Sequence, residues 1–403
     1  VTGREVTVTG MKVTGYAYPW DVLGDREFGT RAGALGVDEV AVALSYHSVR
    51  AATPWSPHGT SVVAGHAALY RPIRPQAWQG AALVPSAPEW PHWADAGTRA
   101  DSGGAAVRAL TEAGIPAAGW LVLTHNSRTG ASHPSAAVHN CFGEIYPWAL
   151  CPARPSVRAF AASLTAEAVR DLELSSVILE ACGPLGVVHQ HQHEKTDGVW
   201  SPAAARLLSV CCCTACAAGW TAHGYEPETV RSLLCARVRD LVGAGDLDLS
   251  DDGLPTDCKE MLLATRQSAT DALRRAVLSS VPPGVRTVLH GSLDPWATGA
   301  LPGITPAAPG EIDAVVLQNW APTPASCRAV AAARSTLPER VTVGSYVTVA
   351  AAEPVPDPTS YVSSLAEAGA AELHLYHLGL AGPARLDDLR AACDAAHRPV
   401  PPR

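Results

Sequence analysis

Residues 177–183 read Val177-Ile178-Leu179-Glu180-Ala181-Cys182-Gly183, an apolar run that ends in a carboxylate and then a glycine. A short, continuous apolar run closed by a breaker is the pattern of a strand buried on both faces, as in a parallel sheet. Seven similar runs occur, and most also end in polar side chains. Lys12 to Tyr18 leads to Asp21, Glu39 to Tyr46 leads to His47, and Gly119 to Thr124 leads to His125 and Asn126. Arg286 to Leu289 leads to His290 and Asp294, and Ala314 to Leu317 leads to Gln318 and Trp320. Glu372 to Tyr376 leads to His377, whereas Val341 to Val349 ends without a catalytic group. Eight such strands predict an α/β fold, a closed (β/α)8 TIM barrel, whose chemistry gathers on the rim formed by the strands' C-terminal ends.

Helical spacing between the strands supports this reading. Val157, Phe160, Ala161, Leu164, Ala168 and Leu172 share one helix face. Phe28 to Leu35, Gly104 to Ala113, Ala203 to Val210, Leu233 to Val242, Cys258 to Val281 and Ala384 to Ala396 read as further helices. The stretches Ser48–Pro91 and His125–Pro155 have poor periodicity and read as irregular. With the loop after strand four they form long insertions after strands two, three and four, on the expected catalytic face. The whole of residues 1–403 reads as one barrel domain, with 1–11 as an N-terminal extension and 397–403 as a Pro-rich tail.

Composition narrows the function. Charged residues make up 17% of the chain and the formal net charge is −8, with Lys and Arg scattered. That argues against a nucleic-acid partner or a polybasic membrane patch. No apolar run is long enough to span a bilayer and no signal-peptide pattern is visible, so a cytoplasmic location is expected. Abundant Ala, Gly, Pro and Arg beside only three lysines (Lys12, Lys195, Lys259) suit a GC-rich bacterial genome, with an actinobacterial-like bias.

Glu180 leads the candidate residues, because a carboxylate at the end of a buried strand must be paired or have a function. Asp294, just past strand five, could converge on the same pocket, and so could Glu194. Two carboxylates flanking a pocket are what glycosidic cleavage requires. Asp21, His47, His125, Asn126, Arg128, His193, Lys195, His290, Trp296, Gln318, Trp320 and His377 are candidate binding groups for a small carbohydrate. Their donors and acceptors suit hydroxyls, and their aromatic faces suit a pyranose ring. The alternating His189, His191 and His193 offer a competing metal site, although no H-E-x-x-H spacing accompanies them. No nucleotide-binding glycine loop and no G-x-S-x-G elbow occurs, so neither a nucleotide cofactor nor a serine hydrolase is expected.

Cys211, Cys212, Cys213 and Cys216 form a C-C-C-x-x-C run, and a C-x-x-C pair is half of a zinc site. A structural zinc on Cys213 and Cys216, completed by Cys141, Cys151, Cys182 or nearby histidines, competes with a reading as buried free thiols. No other cofactor is expected.

Ala17-Tyr18-Pro19-Trp20-Asp21, Ser45-Tyr46-His47, Thr124-His125-Asn126-Ser127-Arg128, Leu150-Cys151-Pro152, His193-Glu194-Lys195 and the Cys211–Cys216 run resemble segments of poorly characterised bacterial proteins described as glycoside-hydrolase-like TIM barrels. The resemblance covers most of the chain and implies a barrel with sugar-active chemistry. Carboxylates after strands four and five also resemble the alpha-amylase superfamily, in which the strand-four residue is the nucleophile and the strand-five residue the acid. Here strand four ends in Glu180 rather than Asp, strand five offers Asp294 rather than Glu, and strand seven supplies no carboxylate. The expectation is a glycoside hydrolase or transglycosidase. The alternatives are a metal-dependent hydrolase or lyase using His189, His191 and His193, and a non-catalytic sugar-binding barrel.

Overall fold

The computed structural model describes residues 10–89, 96–188, 195–196, 198–349 and 355–399. Eight parallel strands form its centre: β1 (Lys12–Ala17), β2 (Glu39–Tyr46), β3 (Ala117–Val122), β4 (Ser176–Glu180), β5 (Arg286–His290), β6 (Ala314–Gln318), β7 (Thr342–Thr348) and β8 (Glu372–Tyr376). Each pairs with the next, and β8 pairs back to β1 in the register Lys12↔Glu372 to Gly15↔Leu375, so the sheet closes. The strands begin and end within two residues of the runs read from the sequence.

Strand alternation divides the side chains between two cores. Val13, Val42, Leu121, Leu179, Leu373 and Leu375 point outward against the helices. Tyr16, Ala43, Trp120, Ile178, Val316 and Tyr346 fill the interior and continue upward into the insertions. Full burial of one such Leu stabilises the fold by about 1.5–3 kcal/mol.

The outer layer comprises α1 (Phe28–Ala34), α2 (Ser102–Glu112), α3 (Pro155–Val169), α6 (Thr256–Leu278), α7 (Pro324–Thr336), α8 (Pro358–Ala368) and α9 (Leu386–Ala396), whereas α4 (Thr214–Ala222) and α5 (Pro227–Ala244) lie in the insertion after β4 and pack with the interior core. Local chemistry sets their ends. Asp101 and Asp357 cap α2 and α8 by accepting from Gly104 N and Ser360 N, and Gly369 ends α8 in the left-handed region at φ 110°. Between β5 and β6 a single 3₁₀ turn, Ala308–Gly310, stands where the other crossovers place an α-helix. Buried Arg274 of α6 braces this connection through Glu311 Oε2 (2.8 Å), Thr305 Oγ1 (3.0 Å) and Asp271 Oδ1 (2.7 Å).

The insertions are more regular than their sequence suggested. Val49–Ala52 pairs with Ser61–Ala64, Ala137–His139 pairs with Ile145–Leu150, and Ala68–Leu69 adds an antiparallel strand to the end of β2. Two-stranded ribbons this short are marginal alone and show little alternation. Their buried residues, such as Ala51, Val62, Val138 and Ala149, join the interior core instead. No described helix is long and apolar enough to cross a membrane.

Candidate active site at the barrel rim

A pocket of ≈ 740 Å³, mouth included, opens at the C-terminal ends of the strands. Its lining comes from β2 and its loop (Tyr46, His47), β3 (Trp120), β4 (Glu180), the loop after β5 (Thr298, Ala300, Leu301), β6 and its loop (Gln318, Trp320), β7 (Tyr346) and β8 (Tyr376). Trp320, 37% exposed, lies nearly parallel to Tyr376 at 5.9 Å, and Trp120 stands edge-on to Tyr46 and Tyr16. Burial pushes the hydroxyls of Tyr46, Tyr346 and Tyr376 upward in pKa, so they stay protonated as donors.

Glu180 is 6% exposed. Its Oε2 accepts the Trp120 indole N–H at 2.8 Å, and among the described residues no hydrogen bond engages Oε1. The next residue, Ala181, is in the left-handed region at φ 50°, a conformation that costs a non-glycine residue about 1–2 kcal/mol. It is held there by Ala181 N donating to Ala300 O (2.8 Å) and Thr124 Oγ1 donating to Ala181 O (2.7 Å).

Beneath Glu180 a polar chain descends the barrel axis. Glu372 Oε2 meets His374 Nε2 at 3.1 Å, His374 Nδ1 meets Tyr16 OH at 3.0 Å, and Tyr16 OH meets His290 Nε2 at 2.8 Å. Arg286 closes the lower end by an ion pair with Glu372. These partners fix the tautomers. Glu372 can only accept, so His374 carries its proton on Nε2 and accepts from Tyr16 on Nδ1. Tyr16 then accepts from His290 Nε2–H, and His290 turns its Nδ1 toward Glu180. Among the described residues that atom has no hydrogen bond, and it lies 3.5 Å from Glu180 Oε2. Burial keeps His374 below the usual histidine pKa, in line with a neutral ring.

The candidate residues separate into groups. Glu180, His47, Gln318 and Trp320 line the pocket. His47 Nδ1 faces Ser48 O at 2.7 Å, and its ring stacks on Tyr46 and on His125. Burial lowers its pKa, so neutral His47 donates from Nδ1 and keeps Nε2 as an acceptor. His290 lies behind Glu180. Asp21 and His377 lie beneath the rim, 3.7 Å apart, with Asp21 Oδ2 accepting from Tyr18 N at 2.8 Å. Burial pushes the Asp21 carboxyl up to about 8 and the His377 imidazole down to about 3.

Other candidates sit elsewhere for identifiable reasons. Asp294 is exposed, and its Oδ1 accepts from Trp296 N at 2.9 Å, which makes it a turn residue outside the pocket lining. Trp296 packs under the Arg266 guanidinium instead. Asn126 caps the helix Ser127–Ser132 by accepting from Thr129 N, and exposed Arg128 meets His66 Nδ1 at 3.0 Å. Lys195 is exposed. His189, His191, His193 and Glu194 lie outside the described residues.

Tyr346 lines the pocket, and Glu372 and His374 lie in the polar chain beneath it, although reading strand ends singles out none of them; the signal of the β8 pair is readable. Glu372-Leu373-His374-Leu375-Tyr376 alternates polar and apolar, which puts all three polar groups on the inward face.

No protein-family model matches the chain, and no curated protein matches it in sequence. Solved structures do match its fold. The glycoside hydrolase domain of PgaB (BpsB) from Bordetella bronchiseptica superimposes with TM-score 0.57 at 14% identity, over 95% of this chain and 99% of that one. The catalytic domain of beta-amylase from Paenibacillus polymyxa gives 0.54 at 11% identity, over 97% and 100%. Alpha-L-fucosidase isoenzyme 2 from Paenibacillus thiaminolyticus gives 0.53 at 13% identity, over 98% of this chain, which spans only 47% of that one. The chain folds as a (β/α)8 barrel of the form found in these glycoside hydrolases.

Proposed function

We propose that the chain is a glycoside hydrolase or transglycosidase acting on a small sugar or glycoside, with Glu180 as its catalytic acid. The supporting observation is the carboxyl of Glu180 opening into an aromatic-lined pocket with His290 Nδ1 3.5 Å behind it. In that role the Glu180 carboxyl donates a proton to the departing glycosidic oxygen, as a general acid does. Trp320 and Tyr376 offer ring faces to a pyranose, while Gln318 and His47 reach its hydroxyls. Asp294 drops out as the partner carboxylate because its side chain is committed to a turn. Glu194, which follows β4 in the sequence, is the proposed partner.

The test is turnover of a panel of fluorogenic glycosides differing in sugar and anomer, by wild type and by Glu180→Gln. Hydrolysis of at least one member is expected, lost in the variant while its circular dichroism is unchanged. Undiminished turnover by Glu180→Gln refutes the assignment. One observation favours a second reading, that of a sugar-binding barrel without chemistry: among the described lining residues Glu180 is the one carboxylate. That reading gives sugar binding by calorimetry and no product after long incubation.

A further inference from the structure

Outside the rim pocket, four cysteines from two separate insertions converge. Cys151 follows the hairpin strand Ile145–Leu150, and Cys211, Cys213 and Cys216 surround the start of α4. Their sulfurs all lie within 4.8 Å of one another and none is in a disulfide. Cys151 Sγ is 3.7 Å from Cys213 Sγ and 3.6 Å from Cys216 Sγ. Four thiolates held about 2.3 Å from a tetrahedral zinc ion are about 3.8 Å apart along each edge of the tetrahedron, so these separations match a shared metal. We propose that Cys151, Cys211, Cys213 and Cys216 form a structural zinc site that pins the insertion after β3 to the insertion after β4.

The surroundings fit that charge. Cys213 is the N-cap residue of α4 and Cys216 lies in its first turn, where the helix N-terminus favours thiolates. The half-buried Arg266 lines the same small cavity as Cys211 and Cys216, so its guanidinium offsets part of the net −2 charge of a zinc tetrathiolate. Cys212 is directed elsewhere: its N donates to His139 O at 2.6 Å and its thiol turns to Val210 O. This excludes the middle cysteine of the triplet and supplies Cys151, 60 residues upstream of Cys211, as the ligand that local spacing could not identify. The four ligands complete the tetrahedron, so the site is closed and its role is structural.

The experiment measures metal in full-length protein purified under reducing conditions from zinc-supplemented cells, by plasma mass spectrometry. One zinc per chain is expected. It should be lost in Cys151→Ser and in Cys216→Ser and retained in Cys212→Ser. Because the ligand variants could fail to fold, wild-type chain should also be loaded with Co²⁺. The intense visible bands and sulfur charge-transfer absorption of a tetrahedral tetrathiolate are expected. Metal well below one per chain, zinc that survives loss of Cys151 or Cys216, or a cobalt spectrum without thiolate bands would each overturn the proposal.

Discussion

At the floor of the barrel, Glu39 and Glu372 are buried and each meets a cation. Lys12 Nζ stands 2.9 Å from Glu39 Oε1, and Arg286 pairs with Glu372. At the rim, Glu180 is almost as buried, but it meets an indole N–H and the His290 imidazole, and no lysine or arginine among the described residues. The floor pairs satisfy their own charges, so they can be explained by folding alone. Among the described residues the rim carboxylate has one hydrogen bond, from the Trp120 indole, and its pocket is open to a ligand. That contrast, more than the presence of an acid at a strand end, distinguishes a candidate catalytic group from a structural one.

The largest effect is expected at the rim. Glu180→Gln keeps the shape and the hydrogen bond from Trp120 but cannot donate a proton to a leaving group. Steady-state kinetics should show kcat reduced by about 10²–10⁴-fold, with thermal stability nearly unchanged. At the floor the pattern should reverse. Arg286→Met leaves Glu372 buried without its guanidinium and should cost about 3 kcal/mol in urea denaturation, with kcat per folded molecule retained.

The same floor pair predicts an acid limb. Burial alone would raise the Glu372 carboxyl, but the His374 hydrogen bond and Arg286 outweigh it and hold Glu372 down at about 2. A carboxylate depressed in the folded state stabilises fully above its unfolded pKa of roughly 4.3, and the contribution fades as pH falls from there toward about 2. Melting temperature should therefore drop through that window in wild type, and less steeply in Glu372→Gln.

Tyr16→Phe cuts the chain that joins the two ends. Two buried imidazole nitrogens lose their partner, a cost of about 1–3 kcal/mol. Because His290 is then free to adopt its other tautomer, the pH profile of kcat should also move. An unchanged profile would separate the floor from the rim and leave Tyr16 purely structural. The smallest effect belongs to Asp294→Asn, which preserves the turn and should stay within about 0.5 kcal/mol in stability, with kcat unaltered. Loss of activity there would return Asp294 to the pocket and undo the comparison.

The barrel was legible because each strand carries its own signal: a buried apolar run such as Val177–Leu179 admits few other readings. Glu180 was legible for the same reason, since its position follows directly from the strand's end. Asp294 and Asn126 were misplaced because a polar residue after a strand is as useful to a turn or a helix cap as to a ligand, and sequence position does not separate these uses. The axial chain was missed although β8 displays it by alternation, because attention to strand ends overlooks polar residues inside strands. The cysteine partners were only half visible: Cys213 and Cys216 are linked by local spacing, but Cys151 reaches them only through the packing of two insertions.

The most direct test is a crystal structure of the Glu180→Gln variant soaked with a glycoside that the wild type cleaves. The account places the glycosidic oxygen about 3 Å from the side-chain amide at position 180, with the sugar ring against Trp320 or Tyr376. A sugar bound away from position 180, or seated against Asp294, would contradict it.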